Sequence, residues 1–148
     1  MRLRGDAGQV GGVEAVPFGL LVLLVGILLV AHTWAVVDAK VVTTTAAREA
    51  TRAYVEAPDG AQGLADARRV AEEAAAAAGR HLDEPVRRRS GDTFTRCMAA
   101  RFDAQLTVPA FGLPWRGDRP EVTVRSAHEE LVDPYRDGLA GAADCGAP

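Results

Sequence analysis

The stretch Ala15–Val37, AVPFGLLVLLVGILLVAHTWAVV, decides the architecture. It carries no Asp, Glu, Lys or Arg. As a helix it extends about 34 Å, enough to cross a hydrocarbon core of about 30 Å. Arg2, Arg4 and the carboxylate Glu14 precede it, and every part of the chain large enough to be a domain follows it. The expected organisation is a short cytoplasmic head over residues 1–14, a transmembrane helix over 15–37 and an extracytoplasmic domain over 38–148. That is the layout of a subunit held in a membrane, and not of a soluble enzyme.

Composition agrees. The chain has 148 residues and a formal net charge of −3. It has no Asn, and Lys40 is its one Lys. Such a bias points to a GC-rich genome, so richness in Ala and Arg is partly codon usage. Nucleic-acid binding needs clustered Lys and Arg, and no segment supplies them. The triplet Arg87-Arg88-Arg89 is flanked by Asp83, Glu84 and Asp92 and reads as a solvated loop. Contact with an acidic partner or lipid headgroups is its alternative reading.

A cleaved signal usually has an apolar core of about 7–15 residues and then a small-residue cut site. The core here is longer and runs through His32, Thr33 and Trp34. Retention is favoured; the alternative is a secreted module cut near Val37-Asp38-Ala39. Lys40, Arg48 and Arg52 follow the span, so Lys and Arg counts orient it weakly. The short head, the two cysteines and the signal-like order favour a cytoplasmic N terminus in a single-pass cell-membrane protein.

Beyond the span, Val42, Ala46, Ala50, Ala53 and Ala57 recur at helical spacing. Arg48, Arg52 and Glu56 form a polar stripe, and no Gly or Pro interrupts before Pro58. One rod from Ala15 to Ala57 is expected. Thr43-Thr44-Thr45, poor helix formers, mark the place for a bend. Pro17 falls near the first turn, where a missing N–H costs least. Gly19 and Gly26, seven apart, face one side and are candidates for close helix packing. Glycine is also simply common in membrane helices.

Pro58-Asp59-Gly60 signals a turn, with Asp59 as N-cap. A second helix is expected over Gln62–Ala78, with Arg68–Glu72 and Arg69–Glu73 pairs and Gly79 just past its end. Its inner face is mostly alanine, so it needs the first rod or a sheet for support. After a polar linker around Pro85–Gly91 the period changes to two. Phe102, Ala104, Leu106 and Val108 alternate with polar residues in one strand; Val122 and Val124 do so in a second, from Glu121 to about His128. Pro109–Pro120, with Phe111, Leu113 and Trp115, reads as a long hairpin loop, and the tail from Asp133 is turn-rich. The fold class is α+β: a long helix, a second helix and a short antiparallel sheet of two or three strands.

No catalytic constellation emerges. His128-Glu129-Glu130 opens like a zinc-protease motif, but position 132 is Val. The scattered His81, His128, Cys97 and Cys145 lack metal-site spacing. Neither Ser90 nor Ser126 sits in a nucleophile elbow, and no glycine-rich loop has phosphate-binding spacing. Arg-Gly-Asp at Arg4–Asp6 and Arg116–Asp118 is best explained by chance. No enzymatic activity, cofactor, metal or small-molecule substrate is expected. Outside the membrane, Cys97 and Cys145 are expected to pair rather than remain free thiols, pinning the tail to the sheet. Glu14, at the edge of an apolar helix, is either an ordinary interfacial acid near the helix N terminus or a functional group.

The run Gly11-Gly12-Val13-Glu14-Ala15-Val16-Pro17 before an apolar helix, with Ala46-Ala47-Arg48-Glu49-Ala50-Thr51-Arg52-Ala53, resembles the TadE-type proteins of tight-adherence pilus systems. Val122-Thr123-Val124 through Val132-Asp133-Pro134-Tyr135 is similar to the tails of actinobacterial members. The resemblance implies a non-enzymatic pseudopilin with one span and an extracytoplasmic α+β tail. It also implies partners: pilin or other minor pilus subunits, inner-membrane platform proteins and the lipid bilayer. It carries Glu14 over as the residue that registers subunits through a neighbour's N-terminal amine. In that pattern glycine precedes the cut and Glu is fifth after it; here the count places Gln9 at the cut, and Ala15 follows Glu14 where an aromatic is usual. A processed pseudopilin and an uncleaved assembly factor are both open. The other class of reading is a membrane-tethered envelope binding protein with no filament partner.

Overall fold

A single helix, α1, runs uninterrupted from Gly11 to Glu56. The computed structural model describes residues 11–89, 91–110 and 120–146, with the side chains of 11–14 left aside. Residues 1–10 of the expected cytoplasmic head, both Arg-Gly-Asp triplets, Ser90 and the hairpin residues Phe111, Leu113 and Trp115 lie outside that description, while residues 11–14 of that head are helical.

α1 begins four residues before Ala15, so Pro17 sits inside it and not at its first turn. The Thr43-Thr44-Thr45 triplet does not interrupt it. The Thr43 hydroxyl donates to the Ala39 carbonyl (2.9 Å) and that of Thr44 to Lys40 (2.7 Å). Bonding back one turn satisfies each hydroxyl inside the helix and offsets the weak propensity of threonine.

α2 spans Gly60–Ala77. Asp59 caps it, accepting from the amides of Ala61 and Gln62 at 2.9 Å. At the other end Gly79 takes φ +69°, with Gly79 N–H bonded to Ala76 and Arg80 N–H to Ala75. This paired closure needs a left-handed residue, hence glycine. Gly63, Ala67, Ala71 and Ala75 form the buried stripe of α2. At Gly63 a Cβ would lie 3.0 Å from both Ala57 Cβ and Tyr54 Cδ2, so hydrogen at this position sets how closely α2 approaches the end of α1. Arg69–Glu73 forms as expected (2.9 Å), whereas Glu72 accepts from His81 (2.8 Å) in place of the expected Arg68 pairing.

The sheet has three antiparallel strands in the order β1 (Arg87–Arg88), β2 (Ala99–Pro109), β3 (Glu121–Leu131). The linker reading of Arg87-Arg88 is thereby corrected: both residues pair with β2, Arg87 opposite Asp103 and Arg88 opposite Phe102. An isolated pair of arginines has no strand signature, and the β2 edge supplies the order. β3 extends three residues beyond the expected His128. Ala100, Phe102, Ala104, Leu106 and Val108 of β2 are buried on one face, as the period of two requires.

The core lies where the second half of α1 meets α2 and the sheet. Ala46, Ala47, Ala50 and Tyr54 pack with Ala67 and Ala71 of α2 and with Met98, Ala100 and Phe102. A second cluster joins Ala39 and Val42 to Ala75, Leu106, Val108 and Val124. Tyr54 is the large anchor in a layer of alanines: it is fully buried, with Phe94 edge-on at 5.2 Å and Phe102 tilted at 5.3 Å.

Candidate functional site

Two halves of one helix meet different surroundings. From Val16 to Val30 the large apolar side chains of α1 are exposed, and none of its most apolar window is buried. This is the one helix among the described residues long and apolar enough to cross a membrane. From Ala39 onward one face of the same helix is buried. A soluble domain does not leave so large a contiguous apolar surface facing water, so the first half requires an apolar environment.

Gly19 and Gly26 both lie in the exposed half, with open space where a Cβ would stand. Among the described residues no intrachain packing accounts for either glycine. Glu14 is the fourth residue of α1, in its first turn, where the amide dipoles favour a negative charge.

The junction with the domain is built of polar contacts at consecutive levels. Asp38 accepts from Arg80 Nη2 at 2.9 Å, tying the exit of α2 to α1. Lys40 Nζ donates to the Arg125 carbonyl at 2.7 Å. Thr43 and Ser126 share a buried hydrogen bond of 2.8 Å, and Thr51 donates to the His128 carbonyl at 3.3 Å. At the far end Arg136 donates to the terminal carbonyls of α1, Val55 at 2.5 Å and Glu56 at 2.7 Å. These groups join segments 42 to 85 residues apart. No local sequence signal could have found them.

Cys97 and Cys145 form a disulfide with Cα atoms 5.1 Å apart. It ties the tail to the start of β2, as expected. Arg96 N–H to Ala140 and Cys97 N–H to Val132 hold the same two segments together through the main chain.

The outer face of the sheet carries an open cleft of about 360 Å³ lined by Arg87, Arg89, Arg101 and Arg125 with Glu84 and Asp103. Asp103 accepts from Arg89 at 2.5 Å and lies 3.7 Å from Arg101. The hydrogen bond to Asp103 raises the pKa of Arg89; Glu56 and Glu73 do the same for Arg52 and Arg69. All three guanidinium groups are exposed, so the pairs act as exchangeable surface contacts. By sequence Arg87 and Arg89 belong to a solvated loop and Arg101 and Arg125 to the polar positions of two strands, and the cleft appears only when β1, β2 and β3 are placed side by side. His128 faces α1 beside Glu130 (3.0 Å) and is not grouped with His81 or the cysteines. Among the described residues no cluster of His, Cys, Asp and Glu could hold a metal.

No family model, curated protein or solved structure matches this chain.

Proposed function

We propose that this chain is a non-enzymatic, membrane-anchored pseudopilin-like component of a tight-adherence pilus assembly or secretion machine. The observation that carries the reading is the division of α1: an exposed apolar half and an amphipathic half that is the central element of an α+β domain. A helix so divided couples a membrane anchor rigidly to a domain, as a subunit handed between membrane and assembly requires. The resemblance around Glu14 adds the pilus context. In this reading residues 15–37 span the cell membrane, the N terminus is cytoplasmic and residues 38–148 are extracytoplasmic. Gly19 and Gly26 then offer close approach to partner helices, and the outer domain contacts pilin or other minor subunits.

Burial of Ala39 within the second core cluster speaks against the secreted alternative, because a cut beside it would remove Val36 and Asp38 from the junction. The direct test is the intact mass of the mature protein from its native membrane. Full length is expected for an anchored assembly factor, and loss of the head before Glu14 for a processed pseudopilin. A mass beginning near Lys40 would exclude anchoring. For the pilus role itself, Glu14→Ala is expected to impair piliation at unchanged protein level. Normal pili in a strain lacking the whole protein would leave the envelope-binding reading in its place.

A further inference from the structure

We infer that the hairpin end of the sheet, where β2 finishes at Pro109 and β3 begins at Glu121, rests in the lipid headgroup layer. The inference depends on the reading that residues 15–37 span a membrane. It adds a second point of membrane contact, made by the domain itself.

The register between α1 and the sheet sets the height of that end. Thr51 bonds the His128 carbonyl, and Thr43 bonds Ser126. Nearer the span, Val36 and Ala39 belong to the same apolar cluster as Val108 and Val122. From these hydrogen bonds to the shared cluster, β3 runs from His128 toward Val122 as α1 runs back from Thr51 toward the apolar segment. The sheet does not end at Val122: the Ala110 amide donates to the Pro120 carbonyl at 2.7 Å, one more rung down. Two further residues add about 7 Å. Ala110 and Pro120 therefore lie past Val108 and Val122, at the end of the sheet nearest the apolar segment.

The chemistry at this level suits a phospholipid surface. Trp34 is 73% exposed, and tryptophan concentrates at the membrane–water boundary. Two turns or less beyond it lie Lys40, held on the Arg125 carbonyl, and Arg80, held on Asp38. Both are cations placed where phosphate groups would be. At the sheet end Pro109, Ala110 and Pro120 carry no charge, and the one charged group among them and their strand partner is the exposed carboxylate of Glu121 opposite Pro109. Docked at two points, the domain cannot swivel freely about α1, so the arginine cleft on the outer sheet face keeps one orientation to the membrane.

The test uses the full-length chain in phosphatidylcholine–phosphatidylglycerol vesicles with the native disulfide intact. An environment-sensitive fluorophore is attached to Ala110→Cys, to Val25→Cys in the span, or to Asp137→Cys near the opposite end of the domain. Lipids with shallow doxyl quenchers are expected to quench the Ala110 probe several-fold more than the Asp137 probe, and deep quenchers to act at Val25. Pro120→Cys should behave as Ala110→Cys does, which covers a folding failure of either variant. Quenching at Val25 with none at Ala110 and Pro120 overturns the docking and leaves the span intact. No quenching at Val25 overturns the span and the docking with it.

Discussion

Arg136 closes the C terminus of α1 by donating to the carbonyl of Glu56 at 2.7 Å, across 80 residues of sequence. A second branch of the same guanidinium reaches Val55. The last turn of a helix has carbonyls with no partner in the helix and carries partial negative charge, so a cation there satisfies both needs. The tail thus does more than trail from β3; it terminates the central helix.

Arg136→Ala is expected to lower domain stability by about 1–3 kcal/mol, the range for hydrogen bonds to a charged group whose partners lose them. Arg52→Ala, which removes an exposed pair with Glu56, should change it by no more than about 1 kcal/mol. Chemical denaturation of the two variants side by side checks the difference.

Reduction of Cys97–Cys145 releases the tail that carries Arg136. The bridge spans 48 residues, for which the chain-entropy model gives about 4 kcal/mol of stabilisation. The paired Cys97→Ser and Cys145→Ser variant should therefore melt at a clearly lower temperature. Because Arg136 lies within the same loop, the effects of losing the bridge and of Arg136→Ala are expected to be less than additive in a double-mutant cycle.

Gly63→Ala sets two effects against each other. In an open helix interior the change gains about 1 kcal/mol in propensity. Here the new methyl meets the Tyr54 carbonyl at 3.1 Å, as well as Tyr54 Cδ2 and Ala57 Cβ, and main-chain oxygen cannot move aside. Overpacking costs about 1–3 kcal/mol, so net destabilisation is expected. A rise in thermal midpoint would show that α2 can shift on its alanine stripe.

Gly26→Leu should leave domain stability unchanged, since none of the described residues lies within 4 Å of the added carbon. If the glycine serves helix packing, the substitution should reduce cross-linked complexes recovered from the membrane. Recovery equal to wild type would assign Gly26 to ordinary membrane-helix composition.

How much of this was legible beforehand follows from where each signal resides. The apolar run Ala15–Val37, the helical spacing from Val42 to Ala57 and the alternation from Phe102 to Val108 are local periodicities, and each produced the element it implied. Asp59 and Gly79 were legible for the same reason, because capping is chemistry between near neighbours. The Cys97–Cys145 pairing was legible because only two cysteines exist. Tertiary structure alone decided the rest. Arg87-Arg88 became a strand only because β2 offered an edge, and the four arginines of the outer cleft converge only across three strands. Asp38 with Arg80, Lys40 with Arg125 and Arg136 with Glu56 are partners far apart in sequence. A hydrogen bond is fixed by distance in space, and sequence separation carries no record of it until the helices and sheet have packed.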